Sequence, residues 1–293
     1  MLMRRVVTAL ALLLILIPAL LAPQPWVWAC FSLVFVMLAA WEWMRLLEPS
    51  RSQTSAFFAL LSMGLILIFD LIVQDRLWLD ELVSPLSLAA ALFWIVIVPR
   101  SFKGRVQAGW LQAWLAWVFL LAAWLALMAL HRVDLVLLVS GLALVWVADI
   151  AAYFAGRRFG RRKLAPSISP GKTREGALGA CLAVGLLGLG SLLLPWEGWM
   201  QALPRRWFDL LLQVMSDALA VCVLLGLLLV LVILSIIGDL YESQLKRLAG
   251  VKDSSNLLPG HGGILDRIDA LLPVLPAIVL IDRWLLWLVA RLS

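Results

Sequence analysis

Long apolar runs recur along the whole chain of 293 residues, and they limit the fold more than any other feature. A run of about 18 or more apolar residues is long enough to cross a bilayer as a helix. Inside lipid every backbone N–H and C=O group has to find a partner, and these runs are too long and too uniformly apolar for barrel strands. The sequence therefore predicts an all-α fold, a polytopic integral membrane helical bundle.

We predict about nine transmembrane helices, beginning with an uncleaved N-terminal one. The first run has the charged start of a signal peptide, but no convincing cleavage site follows it and more spans come behind. The predicted spans cover residues 6–22, 26–44, 56–73, 84–99, 109–130, 134–155, 176–195, 212–238 and 270–290. With 64% hydrophobic and 14% charged residues, the chain has no polar stretch long enough for a separate soluble domain.

The Lys and Arg residues predict on which side of the membrane each loop lies. Placing the N-terminus in the cytoplasm and alternating the spans puts most of the 24 Lys and Arg residues on the cytoplasmic side, as the positive-inside rule requires. The chain then divides into an N-terminal region, residues 1–130 with about five spans, and a C-terminal region, residues 131–293. The C-terminal region carries two polar loops, 156–175 and 239–269, which both face the cytoplasm.

Composition excludes two classes of function. The net charge of +6 follows mostly from the topology, so nucleic acid is not an expected partner. The chain has 3 cysteines, each alone in apolar surroundings, and 2 histidines far apart in sequence. A Cys/His zinc site or a Cys–His nucleophile is therefore not expected.

Carboxylates in the second polar loop have the spacing of a metal site. Asp266 and Asp269 in "DRID" are three residues apart, so on a helix they share one face, whereas Arg267 points elsewhere. Asp239, in "IIGDLYES", can supply a third carboxylate. Such a group suits Mg²⁺, which takes one or two protein carboxylates together with water and phosphate oxygens. The alternative is that carboxylates at a helix start only interact with the positive end of its dipole.

A glycine-rich turn precedes these carboxylates in the stretch "PGHGG". Gly260, Gly262 and Gly263 allow backbone conformations closed to other residues, and their N–H groups can approach phosphates closely. His261 can hydrogen-bond a phosphate or position another group. The competing interpretation is a plain tight turn that re-enters the membrane.

Basic side chains upstream form a candidate anion clamp. Lys246, Arg247 and Lys252 lie within seven residues, although taken alone they also fit a purely topological signal. Ser243 can cap a helix or contact a ligand.

The first polar loop contains "SPGKT", which resembles part of a phosphate-binding loop. The P-loop pattern needs glycine at position 166, where this chain has Pro166, and no parallel sheet is available. Ser169, Lys172 and Thr173 nevertheless precede a helix expected to begin near Glu175. A lysine beside a helix N-terminus predicts a phosphate site.

Asp149 lies inside the sixth predicted span, near its cytoplasmic end. A carboxylate at that depth is costly and usually faces the bundle interior, a partner or a polar cavity. We therefore predict that Asp149 borders a functional cavity.

The stretch "SQLKRLAGVKDSSNLLPGHGGILDRID" closely resembles the C-terminal motif of the phosphatidate cytidylyltransferases, the CDP-diacylglycerol synthases. The segments "GDL", "ISPGKTREG" and "ADIAAYFAGRRFG" are similar to that family too, so the resemblance covers roughly the C-terminal half. One departure is Gly171, where a second lysine or another polar residue is expected. The motif positions that match are Ser243, Lys246, Arg247, Lys252, Asp253, His261, Gly262, Gly263, Asp266, Arg267 and Asp269.

The resemblance implies a Mg²⁺-dependent nucleotidyltransferase that converts phosphatidate and CTP to CDP-diacylglycerol and pyrophosphate for phospholipid biosynthesis. It implies a homodimer in the cytoplasmic membrane of a bacterium, with the active site facing the cytoplasm, and it leaves open a second cation such as K⁺ or another divalent ion. The expected metal ligands are Asp239, Asp266 and Asp269, which with Lys172 form the catalytic set. The expected substrate-binding residues are Asp149, Ser169, Thr173, Ser243, Lys246, Arg247, Lys252, Asp253, His261, Gly262, Gly263 and Arg267.

Two other classes of function compete with this interpretation. A transporter could use Asp149 and the loop charges to bind an ion, but the halves show no inverted repeat and the polar residues gather on one face. A CTP-dependent lipid kinase would phosphorylate an alcohol and release CDP. A purely structural scaffold leaves the polar cluster without an explanation.

Overall fold

The computed structural model describes residues 2–47, 79–102, 110–193 and 202–292, with single positions at 54, 58, 62, 64 and 69. Helices make up nearly all of this part of the chain. They are α1 Leu2–Leu20, α2 Pro25–Leu47, α3 Leu79–Leu92, α4 Val98–Ser101, α5 Trp110–Val133, α6 Leu135–Phe159, α7 Arg174–Leu193, α8 Leu203–Leu212, α9 Asp217–Leu248, α10 Leu265–Ile268 and α11 Leu271–Leu292. A π-helical turn, Phe93–Ile97, joins α3 to α4.

Seven helical segments of the described residues are long and apolar enough to cross a membrane. They are Pro25–Leu47, Glu81–Ser101, Gln112–Val133, Leu135–Phe159, Arg174–Leu193, Asp217–Leu248 and Leu265–Leu292. The predicted class, a helical polytopic membrane protein, is confirmed. The first predicted span coincides with α1, whose apolar part Leu10–Leu20 is shorter. Only single positions of the predicted span 56–73 are described, so the count of nine and the cytoplasmic N-terminus stay predictions.

The centre of the bundle is α5, the most buried of these seven segments. Its small residues Ala116, Ala122 and Ala126 are fully buried, which lets the backbones of neighbouring helices approach closely. The helix packs against α2, α3 and α11. An aromatic cluster of Trp43, Trp94, Phe119 and Tyr241 fills the space where these helices meet α9.

The segment from Asp239 to Leu248 is helical, which corrects the predicted boundary of the second polar loop. Its polar residues are good helix formers with favourable i, i+4 partners, as in the ion pair of Glu242 with Lys246. At 32 residues α9 is about 48 Å long, well beyond a hydrocarbon core of about 30 Å. Its last turns therefore present side chains next to the membrane surface rather than in a loop.

The loop 156–175 is also more ordered than an open loop. The helix α6 continues to Phe159, and strands β1 (Lys163–Ala165) and β2 (Ser169–Thr173) then form an antiparallel hairpin. The described part of the chain is thus all-α except for this ribbon. The predicted helix start near Glu175 is confirmed, because α7 begins at Arg174. The Glu175 carboxylate accepts hydrogen bonds from the backbone N–H groups of Arg161 and Arg162, and so ties the hairpin to α7.

Contacts between distant segments show that both polar segments lie at one end of the bundle together with the start of α1. The Thr8 hydroxyl donates to the carbonyl of Pro259, 3.1 Å away. At the opposite end the Arg206 guanidinium of α8 pairs with the buried Asp282 carboxylate at 2.7 Å. The predicted spans end at residue 195 and resume at residue 212, so this short amphipathic helix was not predicted.

Candidate active site

A cavity of about 610 Å³ opens where the hairpin, α6, α7, α9 and α10 meet. Small residues of α6 and α7, among them Ala152, Gly156, Gly176 and Ala180, form one wall of it. Charged and hydroxyl side chains line most of the rest, together with a few apolar residues such as Leu164 and Ile236. The predicted site residues among them are Asp149, Ser169, Lys172, Thr173, Asp239, Lys246, Asp253, Asp266, Arg267 and Asp269.

The cavity brings together residues from three separate stretches of sequence. Lys172 of the hairpin forms an ion pair with Asp239 of α9 across it. Asp149 lines the cavity from within α6, as predicted for a carboxylate inside a span. Arg267, expected on another helix face, lines it too. The two polar segments thus meet at one site, as the sequence reading required.

The three predicted metal ligands all border this cavity. Within the described part of the chain, however, no three acidic, histidine or cysteine side chains come close enough to form a metal site by themselves. Asp239 pairs with Lys172, and the backbone N–H of Ala270 donates to Asp269 at 2.8 Å. The donor set therefore fits a hard cation that one or two carboxylates share with water or phosphate oxygens, as Mg²⁺ is usually bound.

The Asp266 carboxylate is fixed on both sides. Its Oδ1 accepts a hydrogen bond from the Lys246 ammonium at 2.6 Å. Its Oδ2 accepts from the backbone N–H groups of Ser254, at 3.0 Å, and Gly263, at 2.8 Å, and lies 3.0 Å from the Ser254 hydroxyl. This dense set of donors holds the carboxylate in one orientation at the edge of the cavity.

The Lys246 ammonium lies between two carboxylates, those of Asp266 and Glu242. Glu242 is only 3% exposed and was missed by the sequence reading. Its position four residues before Lys246 on a helix is the signal that could have found it. The pair of carboxylates holds the lysine head group in place beside the cavity.

Several predicted substrate-binding residues lie outside the cavity lining. The Ser243 hydroxyl donates to Asp239 Oδ1 at 3.3 Å, and the Arg247 guanidinium donates to the carbonyls of Ile168 and Val251. Lys252 is exposed. Ser243 and Arg247 thus hold parts of the site in place, and Arg247 connects α9 to the hairpin.

The glycine-rich turn supports Asp266 rather than lining the cavity. Gly262 has a φ of +84°, and a Cβ there would lie 2.7 Å from Asp266 Oδ2. The Gly263 N–H is taken by Asp266, so it is not free for a phosphate. The His261 carbonyl accepts from the Arg267 guanidinium at 3.1 Å. The predicted phosphate contacts of His261, Gly262 and Gly263 have no support in this geometry.

Three further residues were not predicted as part of the site. Arg157 and Tyr153 of α6 line the cavity, and the Arg157 guanidinium donates to the Tyr153 hydroxyl at 3.3 Å. In the sequence Arg157 belongs to a group of Arg and Lys residues that the positive-inside rule explains without a further role. Glu42 of α2 is fully buried and contacts the segment before α10. Glu42 lies inside the predicted span 26–44, and a carboxylate inside a span is a signal that could have found it.

Comparison with known proteins identifies a matching family and several similar chains. The model of the cytidylyltransferase family matches residues 3–284. A phosphatidate cytidylyltransferase of Pseudomonas aeruginosa is 36% identical over 97% of this chain and 99% of its own length. One of Haemophilus influenzae is 32% identical over 94% of this chain and 96% of its own, and one of Brucella suis is 36% identical over 82% and 78%.

Proposed function

The chain belongs to the cytidylyltransferase family, and from this premise we propose that it transfers the cytidylyl group of CTP to phosphatidate. The products are CDP-diacylglycerol, a precursor for phospholipid biosynthesis, and pyrophosphate. The observation that carries the proposal is one cavity with small residues of membrane helices on one wall and ion pairs on the other. Such a cavity suits a lipid whose phosphate has to meet a nucleotide.

The reaction is a displacement at phosphorus. A phosphate oxygen of phosphatidate forms a bond to the α-phosphorus of CTP, and the bond from that phosphorus to the oxygen bridging to the β-phosphate breaks. Pyrophosphate leaves with that oxygen. A phosphomonoester with a second pKa of about 6 is already largely ionised at neutral pH, so no strong general base is needed. The enzyme's main task is to bring two polyanions together in the right orientation.

The charge of the cavity supports a divalent cation. Five carboxylates and four basic side chains line it, so with all of them ionised the lining does not offset the charge of two polyanionic substrates. We propose that Asp239, Asp266 and Asp269 are the carboxylates available to Mg²⁺, and that one or two of them bind the ion together with water and substrate oxygens. A second cation is also part of the proposal. When bound, the ion would neutralise charge on the triphosphate and on the leaving group.

The basic side chains are proposed to bind phosphates. Lys172 and Lys246 already lie against carboxylates, and each ammonium has three donors, so it can bind a phosphate oxygen while keeping one carboxylate. Arg157 and Arg267 supply two more cations from opposite sides of the cavity. Asp149 is proposed to orient a polar group between the lipid and the nucleotide.

The expected location follows from the substrates. CTP is a cytoplasmic nucleotide, so we propose that the cavity faces the cytoplasm and that the protein lies in the inner membrane of a bacterium. The excess of Lys and Arg in the polar segments supports this orientation. A homodimer is also part of the proposal.

Labelled CTP distinguishes the proposed reaction from its rivals. With purified protein, phosphatidate and Mg²⁺, label in the α-phosphate of CTP should enter the lipid fraction, and label in the γ-phosphate should appear only in pyrophosphate. A lipid kinase would instead place the γ-label in the lipid and release CDP. A transporter would form neither product, and that outcome would refute the proposal.

A further inference from the structure

A buried carboxylate outside the cavity holds the segment that carries Asp266. Glu42 lies near the end of α2 and is 0% exposed. No Lys or Arg of the described residues is ion-paired with it. Four donors converge on it instead: Oε1 accepts from Ser255 Oγ at 2.5 Å and Ile264 N at 3.0 Å, and Oε2 accepts from Ser254 Oγ at 3.0 Å and Leu265 N at 2.6 Å.

This arrangement suits a carboxylate and no other side chain. A carboxylate offers about four acceptor positions, whereas an amide offers one oxygen and an NH₂ group that only donates. In either orientation, a glutamine here would place its NH₂ group against the backbone N–H of Ile264 or Leu265. Two donors would then face each other, because a backbone N–H cannot accept a hydrogen bond. A Cβ at Gly263 would overlap both the Ser254 hydroxyl and the Glu42 carboxylate, so the glycine provides the room for this close approach.

The contacts continue from Glu42 to Asp266. The Ser254 hydroxyl lies 3.0 Å from Glu42 Oε2 and also 3.0 Å from Asp266 Oδ2. The Ser254 N–H donates to the same Asp266 oxygen at 3.0 Å. The bond from Leu265 N to Glu42 fixes the first residue of α10, which directly precedes Asp266. Glu42 therefore constrains Asp266 by two routes, through Ser254 and through Leu265.

We propose that Glu42 is a positioning residue, which orients the Asp266 carboxylate through Ser254 and the start of α10. The inference rests on the proposed function, since Asp266 matters for catalysis only there. It also assigns a role to the N-terminal region, residues 1–130. The motifs that resemble the family all lie in the C-terminal half and indicate no role for that region. By this inference α2 of the N-terminal region helps to hold the segment that carries Asp266 in place.

The experiment compares Glu42→Gln, Glu42→Asp and Ser254→Ala with the matched control Ser255→Ala in the full-length purified protein. Among the described residues the Ser255 hydroxyl also donates to Glu42 but has no hydrogen bond to Asp266, so its loss should change kcat by less than about threefold. Substitution of a residue that supports a metal ligand typically lowers activity about 10- to 100-fold. We expect kcat to fall by about 10- to 100-fold in Glu42→Gln and by about tenfold in Ser254→Ala. The KM for phosphatidate should not change. Glu42→Asp should recover part of the loss, because it keeps all acceptor positions.

Amide hydrogen exchange of residues 253–265 gives a readout that does not depend on turnover. Exchange should be faster in Glu42→Gln than in the wild type, whereas segments remote from Glu42 should keep their protection. Unchanged exchange, a wild-type kcat in Glu42→Gln, or equal losses in Ser254→Ala and Ser255→Ala would each overturn the inference. If Glu42→Gln does not fold, the comparison of the two serine variants decides. If the wild-type protein forms no CDP-lipid, the proposed function fails, while exchange still reports whether Glu42 orders the segment.

Discussion

The ion pair of Lys172 with Asp239 leads to a prediction in which activity and stability should separate. We consider Lys172→Met, which keeps most of the side-chain volume and removes the ammonium group. The two side chains are 26% and 31% exposed, so the pair is partly solvated. Such pairs contribute about 0–1 kcal/mol to stability, and the variant should therefore insert and fold.

The effect on turnover should be larger than the effect on stability. In the proposed reaction Lys172 donates a hydrogen bond to a phosphate, and hydrogen bonds to charged groups are worth about 1.5–3 kcal/mol. At about 1.4 kcal/mol for each factor of ten, kcat/KM for CTP should fall by roughly 10- to 150-fold. Removing the ammonium also leaves the Asp239 carboxylate without its ion-pair partner, which favours the upper part of this range.

The assay is release of labelled pyrophosphate from purified protein in detergent–phosphatidate micelles, combined with thermal unfolding. Lys163→Met is the matched control, because Lys163 belongs to the same hairpin, is exposed and does not line the cavity. It should stay within about twofold of the wild type, as surface substitutions usually do. Equal activities of Lys172→Met and Lys163→Met would refute the assignment of Lys172 to phosphate binding. Unfolding of Lys172→Met would refute the estimate for the ion pair.

Further predictions concern the carboxylates, the glycine turn and the far end of the bundle. Asp266→Asn and Asp269→Asn should each nearly abolish pyrophosphate release while the protein still inserts and folds; near-normal turnover in either would contradict the metal assignment. Chelation with EDTA should stop the reaction and added Mg²⁺ should restore it, as followed by the same assay. Gly262→Ala should lower the free energy of unfolding by about 1–2 kcal/mol, because a φ of +84° is strained for alanine. It should also reduce kcat, because the added Cβ displaces Asp266. The control Gly171→Ala, where a Cβ meets nothing within 4 Å, should leave thermal unfolding unchanged. Arg206→Met should destabilise the protein by about 3–5 kcal/mol in thermal unfolding, because it removes one partner of a buried ion pair, yet leave kcat of the folded protein unchanged.

The membrane class and the meeting of the two polar segments could be predicted because they depend on local properties of the chain. The length and hydropathy of a run decide whether it can cross a bilayer, and the Lys and Arg distribution predicts which loops share a side. Asp149, Lys172 and Asp239 line one cavity, at the end of the bundle where the two polar segments meet. The family resemblance then named the chemistry that such a cavity can perform.

The extent of α9 and the hairpin were predicted less well, because a sequence of polar residues fits a loop as well as an exposed helix. Ten residues after Gly238 continue the helix, supported by the contacts of Asp239 with Ser243 and of Glu242 with Lys246. The hairpin is stabilised by Glu175, which lies beyond it in sequence. Local propensity could not distinguish these outcomes, since partners several residues away decide them.

The sequence by itself determined that this chain crosses a membrane many times and that its charged motifs gather at one end, because hydropathy and charge act within each segment. Only the tertiary structure decided how those motifs are used. The Gly263 N–H donates to Asp266 rather than to a phosphate. Glu42, from a distant helix, accepts hydrogen bonds from four donors in the segment before Asp266. The physical reason is that hydrogen bonds between residues more than two hundred positions apart leave no periodic pattern in the sequence.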